Sequence, residues 1–160
     1  FISVFSGLII SIEGYFFLLL GALLAQLSSI LDGCDGEIAR LKLLESKFGG
    51  WFDRVLDRYS DLFILMGLTF HTYFIHKTLT VFFIGFIVVG GKIISSYTAF
   101  VYDAVVSAHN NFRIGRDLII FIILIGAVLN IPYITLVVLA FIINAEVCKR
   151  LWILKDKLDY

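Results

Sequence analysis

Four aspartates at helical spacing are the residues best placed to do chemistry in this sequence. Asp32 and Asp35 are three residues apart, and Asp53 and Asp57 are four apart, so each pair would share one face of a helix. An aspartate at the centre of a membrane helix costs roughly 2.5 to 3.5 kcal/mol, so such residues need counter-charge, water or a bound cation. Two facing antiparallel helices would bring all four carboxylates to one point.

The ligand type favours a hard cation. Carboxylate oxygens without a histidine or thiolate pair suit Mg2+ or Mn2+ better than zinc. Cys34 is close in sequence, but its two-residue spacing from Asp32 directs it elsewhere on the helix. Four negative charges would balance two divalent ions, and a two-metal site can clamp a phosphoryl group while a hydroxyl attacks phosphorus. The alternative is that the aspartates pair with Arg40, Arg54 and Arg58 in a hydrated interfacial loop.

The same residues resemble the signature of the CDP-alcohol phosphotransferases, D-x2-D-G-x2-A-R-x8-G-x3-D-x3-D. Its fixed positions are met by Asp32, Asp35, Gly36, Ala39, Arg40, Gly49, Asp53 and Asp57. The resemblance implies six transmembrane helices and a Mg2+- or Mn2+-dependent site near the cytoplasmic face. It also implies transfer of a phosphoalcohol from a CDP-alcohol donor to an acceptor hydroxyl, with release of CMP.

The resemblance assigns roles to individual residues. Gly36, Ala39 and Gly49 would form part of the nucleotide pocket, where larger side chains would collide with the cytidine. Arg40 would neutralise the donor phosphate or tie the carboxylates together. The four aspartates would be metal ligands, and Asp57, the last of them, would also be the general base. The residues alone do not separate a base from a ligand.

Composition predicts an all-α, polytopic membrane protein embedded in a lipid bilayer. Hydrophobic residues make up 60% of the 160 residues and charged residues only 16%. A net charge of zero gives no basic excess for binding nucleic acid. Apolar segments separated by polar or glycine-containing breaks predict a bundle of six transmembrane helices, over residues 1–12, 15–40, 49–74, 80–106, 118–130 and 133–152.

The chain is expected to form one membrane domain over residues 1–160. Because it begins at Phe1 rather than methionine, we expect an incomplete first helix, and a cytidylyltransferase domain could precede it. In the second span, Gly21, Ala22 and Ala25 provide a small-residue face for helix packing. The sequence leaves the oligomeric state open, and glycines 85, 90 and 91 are compatible with a homodimer.

Basic residues predict both the orientation and an anion site. Most of them fall on one side of six spans, with Lys77 almost alone on the other, so the motif side is expected to be cytoplasmic. Lys92 lies near the middle of the fourth span, where it would pair with an aspartate or receive an anionic acceptor. Arg113 and Arg116 precede the fifth span and, with Lys92, would bind the phosphate of a phosphorylated polyol acceptor. The alternative is that both arginines only set topology.

Polar residues just before the motif, Gln26, Ser28 and Ser29, would line the acidic site or form ordinary interhelical hydrogen bonds.

The segments LLAQLSSILDGCDGEIARLK, FGGWFDRVLDRYSD and FRIGRD most resemble enzymes that join CDP-inositol to inositol phosphate. Some members of that branch carry an N-terminal cytidylyltransferase domain. A phospholipid synthase with a CDP-lipid donor and inositol phosphate or glycerol phosphate as acceptor is the alternative enzyme. A divalent-cation transporter is disfavoured because the carboxylates cluster at one end of two helices.

Overall fold

The computed structural model of the chain describes residues 2–41, 47–105 and 115–158, with side chains for 2–34, 48–102 and 115–155. These residues form helices and no strand, which confirms the predicted all-α class. The helices are α1 (Ile2–Ile10), α2 (Tyr15–Leu41), α3 (Lys47–His76), α4 (Leu79–Val105), α5 (Arg116–Val128) and α6 (Pro132–Leu158). Stretches of α2 (Tyr15–Cys34) and α4 (Leu79–Tyr102) are long and apolar enough to cross a membrane.

Helix boundaries follow the predicted pattern with two corrections at α6. Pro132, which precedes the predicted sixth span of residues 133–152, is the first residue of the helix. This position suits proline because its fixed φ is helical and a first-turn N–H would have no intrahelical partner. The helix also continues past the predicted end at residue 152, because its lysine-containing end carries no residue that breaks a helix.

Three short turns lie at one end of the bundle, which we call the turn end: residues 11–14, 77–78 and 129–131. Side chains tie these turns together. The Nδ1 atom of His71 lies 2.9 Å from the carbonyl oxygen of Ile12. The hydroxyl of Tyr15 donates to the carbonyl oxygen of Val128 at 3.4 Å. The motif-bearing part of α2 and the beginnings of α3 and α5 consequently lie at the opposite end, the site end.

Small residues set the distance between the first three helices. A Cβ atom on Gly67 of α3 would lie 2.1 Å from the carbonyl oxygen of Gly7 of α1. A Cβ on Gly21 of α2 would lie 2.9 Å from the backbone of α1. Ala22 and Ala25 are completely buried, so the predicted small-residue face of α2 is a packing face. α1 therefore packs closely against both helices that carry the motif.

We expect Gly67→Ala to destabilise the bundle, because the new methyl group would overlap backbone atoms of α1 that cannot move independently. Overpacking of this kind costs about 1 to 3 kcal/mol. The measurement is the thermal unfolding midpoint in detergent.

The matched control is Gly90→Ala, where an added Cβ meets no atom within 4 Å. Alanine is favoured over glycine inside a helix by about 0.5 to 1 kcal/mol, so this control should unfold at the same or a higher temperature. A Gly67→Ala variant as stable as Gly90→Ala would contradict the close α1–α3 contact.

Candidate active site

A pocket of about 470 Å³ opens at the site end between α2, α3 and the beginning of α5. Helix α2 contributes its motif-bearing part, α3 contributes one face of its first turns, and α5 contributes its first two residues. The lining residues are Gln26, Ser29, Ile30, Asp32, Gly33, Asp53, Asp57, Arg116 and Asp117. Acidic and basic side chains therefore meet in one cavity at the end of an apolar bundle.

Three of the four motif aspartates line this pocket. Asp53 and Asp57 lie one turn apart on α3, so their side chains leave the helix on the same face. Asp32 lies on α2, which faces α3 across the cavity. The helical spacing thus brings these carboxylates to one place, while their roles as ligands and base stay predictions. The side chain of Asp35 lies outside the described part of the chain.

The predicted nucleotide-binding residues fall largely outside what the structure describes. For Gly36, Ala39 and Arg40 the backbone is described as the end of α2, but their surroundings are not. Gly49 is exposed in the first turn of α3, near the aspartates of that helix. Arg113 also lies outside the described residues. Of the predicted phosphate-binding residues, the structure therefore places Lys92 and Arg116.

Arg116, the first residue of α5, reaches into the group of carboxylates. Its Nη1 atom donates to Oδ2 of Asp32 at 2.7 Å and also donates to Oδ1 of Asp57. Its Nε atom lies 3.3 Å from Oδ1 of Asp61, one turn further along α3. One guanidinium thus contacts three carboxylates from two helices, and its positive charge offsets the repulsion that they would otherwise exert on one another.

Of the three arginines considered in the alternative interpretation, the described side chains include Arg54 and Arg58. The Nε atom of Arg54 donates to the carbonyl oxygen of Gly50 in its own helix at 2.9 Å. Arg58 lies 3.7 Å from Asp61. The pairing that the structure records for Asp32 and Asp57 is with Arg116, far away in sequence, rather than with these neighbours.

Lys92 on α4 lies deep in the bundle beside Asp61. Its Nζ atom is 3.2 Å from Oδ2 of Asp61, and both side chains are largely buried. Of the two possibilities that the sequence left open for this lysine, the structure contains the pairing with an aspartate. Arg116 contacts the same carboxylate, that of Asp61, through its other oxygen. Lys92 and Arg116 therefore form one basic pair beside the pocket.

Several polar contacts support the site from residues outside the motif. Ser29 donates a hydrogen bond to Oδ1 of Asp117, the residue after Arg116. The hydroxyls of Ser3 and Ser28 lie 2.6 Å apart, and Nη2 of Arg116 lies 3.5 Å from the hydroxyl of Ser3. The sequence left open whether Gln26, Ser28 and Ser29 line the site or form interhelical hydrogen bonds. Gln26 and Ser29 line the pocket, whereas Ser28 makes a hydrogen bond to α1. Nothing in the sequence pattern indicated Ser3 or Asp117, whose partners lie far away in the chain.

The pocket offers the type of ligand atom that a hard divalent cation binds. Asp32, Asp53 and Asp57 offer only oxygen atoms, the ligands that Mg2+ and Mn2+ prefer. Among the described side chains, no three histidines, cysteines or acidic residues are arranged closely enough to hold an ion as they stand. Arg116 supplies the positive charge between Asp32 and Asp57.

Comparison with known proteins identifies the family of the chain. The family model for CDP-alcohol phosphatidyltransferase matches residues 1–148, a span that contains the whole pocket. The chain belongs to the CDP-alcohol phosphatidyltransferase family. In this family context the aspartates of the pocket are the acidic positions of the signature noted in the sequence.

Individual relatives carry more specific names. A protein of Rubrobacter xylanophilus, named bifunctional IPC transferase and DIPP synthase, is 34% identical over 140 residues, 85% of this chain and 31% of the relative. A protein of Aquifex aeolicus with the same name is 34% identical over 159 residues, 94% of this chain and 36% of the relative. The archaetidylinositol phosphate synthase of Methanothermobacter thermautotrophicus is 42% identical over 52 residues, 32% of this chain and 27% of that protein. The chain thus spans about a third of the length of the first two relatives.

We expect Arg116→Gln to destabilise the protein, because Asp32 and Asp57 would face each other without the guanidinium. Removing one partner of a buried ion pair costs about 3 to 5 kcal/mol. The Asp32 side chain is 47% exposed, so solvent reduces the expected loss to about 1 to 2 kcal/mol. The measurement is chemical or thermal unfolding in buffer that contains a chelator.

Adding Asp57→Asn to Arg116→Gln should recover part of the loss, since it removes one of the repelling charges. Arg54→Gln is the control, because Arg54 donates a hydrogen bond to the backbone of its own helix. An Arg116→Gln variant with wild-type stability, or no recovery in the double variant, would contradict the proposed balance of charges.

Proposed function

We propose that this chain transfers a phosphoalcohol from a CDP-alcohol to an acceptor hydroxyl and releases CMP. The observation that carries the proposal is the meeting of Asp32, Asp53 and Asp57 in one pocket with Arg116, in a member of the CDP-alcohol phosphatidyltransferase family. As substrates we propose CDP-inositol and inositol phosphate, which would give a di-inositol phosphate phosphate. The names of the two bacterial relatives, which include DIPP synthase, support this choice.

The proposed metal ligands are Asp32, Asp35, Asp53 and Asp57, which would hold two Mg2+ or Mn2+ ions. Bound divalent ions would neutralise the negative oxygens of the donor diphosphate. The nucleotide would bind beside Gly36, Ala39, Arg40 and Gly49, where small side chains leave room for the cytidine and the arginine meets a phosphate.

In the proposed reaction, the acceptor hydroxyl oxygen attacks the β-phosphorus of the donor. The bond from this phosphorus to the bridging oxygen breaks, and CMP leaves with that oxygen and its electron pair. Asp57 accepts the proton of the attacking hydroxyl, which makes the oxygen a better nucleophile as the new bond forms. Its position in the wall of the pocket supports this role, because a bound hydroxyl can reach it there.

The phosphate of the acceptor would bind to Lys92, Arg113 and Arg116. Support comes from the basic pair beside the pocket, in which Lys92 and Arg116 contact the two oxygens of Asp61. Arg116 also contacts Asp57, so a phosphate held by this pair would place the rest of the acceptor near the proposed base. A planar guanidinium also matches the geometry of phosphate oxygens.

We also propose that the protein is a six-span membrane bundle with its pocket at the cytoplasmic face. Large apolar side chains point outward on several helices, among them Phe83, Phe86, Phe141 and Trp152, which are 64 to 79% exposed. Lipid would cover such side chains, since exposed apolar surface on this scale is unfavourable in water. The two long apolar helices support the membrane location. The side of the bundle with most of the basic residues is expected to face the cytoplasm.

A phospholipid synthase with a CDP-lipid donor is the second candidate. It is favoured by the similarity of one segment of the chain to an archaetidylinositol phosphate synthase. Both candidates need the same carboxylates and a site for a phosphorylated acceptor. They differ in whether the donor carries a polyol or a lipid.

We expect Asp53→Asn and Asp57→Asn to lower CMP release by about 10²-fold or more, since each removes a proposed ligand and Asp57 is also the proposed base. The assay uses purified protein with Mg2+, CDP-inositol and inositol phosphate, and folding is checked by size-exclusion chromatography. Glu13→Gln, an exposed change at the turn end, is the charge-matched control.

Normal turnover by either aspartate variant would overturn the mechanism. Turnover by the wild type with a CDP-lipid donor but not with CDP-inositol would select the second candidate and leave the mechanism in place. Absence of CMP release with every CDP-alcohol would overturn the proposed function itself.

A further inference from the structure

Asp61 is an acidic residue of α3 that lies outside the family signature, which ends at Asp57. It follows Asp57 by one helical turn and so continues the same face of the helix towards the interior. Its side chain is only 5% exposed, and it is not among the residues that line the pocket. A buried carboxylate of this kind must be compensated by positive charge or hydrogen bonds.

The compensation comes from cations on two other helices. Oδ2 of Asp61 lies 3.2 Å from Nζ of Lys92 on α4, and Oδ1 lies 3.3 Å from Nε of Arg116 on α5. Arg58, on the same helix as Asp61, lies 3.7 Å away and is partly exposed. Each oxygen of the carboxylate thus faces a cation from a different helix, so that Asp61 joins α3, α4 and α5 at one point.

Lys92 depends on this contact more than Arg116 does. Its side chain is 10% exposed, and Asp61 is the carboxylate paired with it among the described residues. Without Asp61, the ammonium group would lose its recorded counter-charge and the contact that fixes its position. Arg116 would keep Asp32 and Asp57, and its guanidinium would be drawn entirely towards the pocket.

The contacts of Asp61 are ionic rather than strongly directional. Within the described side chains, neither Oδ2 of Asp61 nor Nε of Arg116 has a hydrogen-bond partner, although both atoms are buried. The positions of Lys92 and Arg116 therefore depend on the charge of Asp61 and on packing. Three cations lie within 4 Å of this one carboxylate, although Arg116 also pairs with Asp32 and Asp57.

We propose that Asp61 is a positioning residue that holds Lys92 and Arg116 where they bind the phosphate of the acceptor. It touches neither substrate and acts through the two cations, pulling Arg116 away from exclusive pairing with the pocket carboxylates. This inference rests on the proposed function, because it concerns binding of a phosphorylated acceptor. It predicts that Asp61 affects the acceptor and leaves the CDP-alcohol donor largely unaffected.

The test is steady-state CMP release by Asp61→Asn, with the acceptor and the donor varied in turn. Loss of one well-placed charged contact to the phosphate should raise the acceptor KM by about tenfold or more. The donor KM should stay close to that of the wild type. Glu13→Gln removes an acidic charge at the exposed turn end and should change neither constant.

A second variant, Asp61→Glu, keeps the charge and moves it by one methylene group. Its acceptor KM should lie between those of the wild type and Asp61→Asn, and it provides the test if Asp61→Asn does not fold. A purely structural role would lower the folded fraction and kcat together, without a selective change in acceptor KM.

The outcomes separate this inference from the proposed function. An active wild type together with unchanged acceptor KM in both Asp61 variants would overturn the positioning role alone. A rise in donor KM equal to that in acceptor KM would do the same. A wild type that releases no CMP from any CDP-alcohol with a phosphorylated acceptor would overturn both.

Discussion

The site depends on one guanidinium placed among three carboxylates. Asp32 comes from α2, and Asp57 and Asp61 come from α3, two helices that both pack against α1, and like charges brought this close repel one another. Arg116 contacts all three, and it does so from the first residue of α5. The helix that carries the cation is therefore held against the two helices that carry the anions. Arg116 lines the pocket that opens between these helices.

The same contact divides the site into an acidic and a basic part. Asp32, Asp53 and Asp57 face the cavity, whereas Asp61 lies deeper and takes Lys92 and Arg116 as partners. A phosphoryl transfer between two anionic substrates needs both parts. The acidic part would hold metal cations, and the basic part would bind the phosphate of the acceptor. Arg116 touches both parts, so the proposed base and the proposed acceptor site are coupled through one side chain. This coupling is the reason that Asp61, which lies outside the signature, is proposed to influence acceptor binding.

The helices, and the shared helix face of Asp53 and Asp57, could be anticipated from the sequence because they depend on local periodicity. Three- and four-residue spacing fixes the face of a helix, and glycine and alanine at Gly21, Ala22 and Ala25 mark a packing face. The pairing of Arg116 could not be anticipated, because it joins residues far apart in the chain through a long, flexible side chain. The arginine was expected in a phosphate pocket beside Lys92, and the structure adds its contacts with Asp32 and Asp57. The sequence also did not determine whether Pro132 lies in the turn or in the helix, since proline suits both a turn and the first position of a helix.

The proposed transfer depends on the binding of a divalent cation by the carboxylates of this pocket. The most direct measurement is a titration of the purified protein with Mn2+, followed by the loss of the electron paramagnetic resonance signal of the free ion. We expect saturable binding to the wild type, with strongly weakened binding to Asp53→Asn and unchanged binding to Glu13→Gln. Equal binding to the wild type and Asp53→Asn, or CMP release that persists when chelator removes all divalent ions, would contradict it.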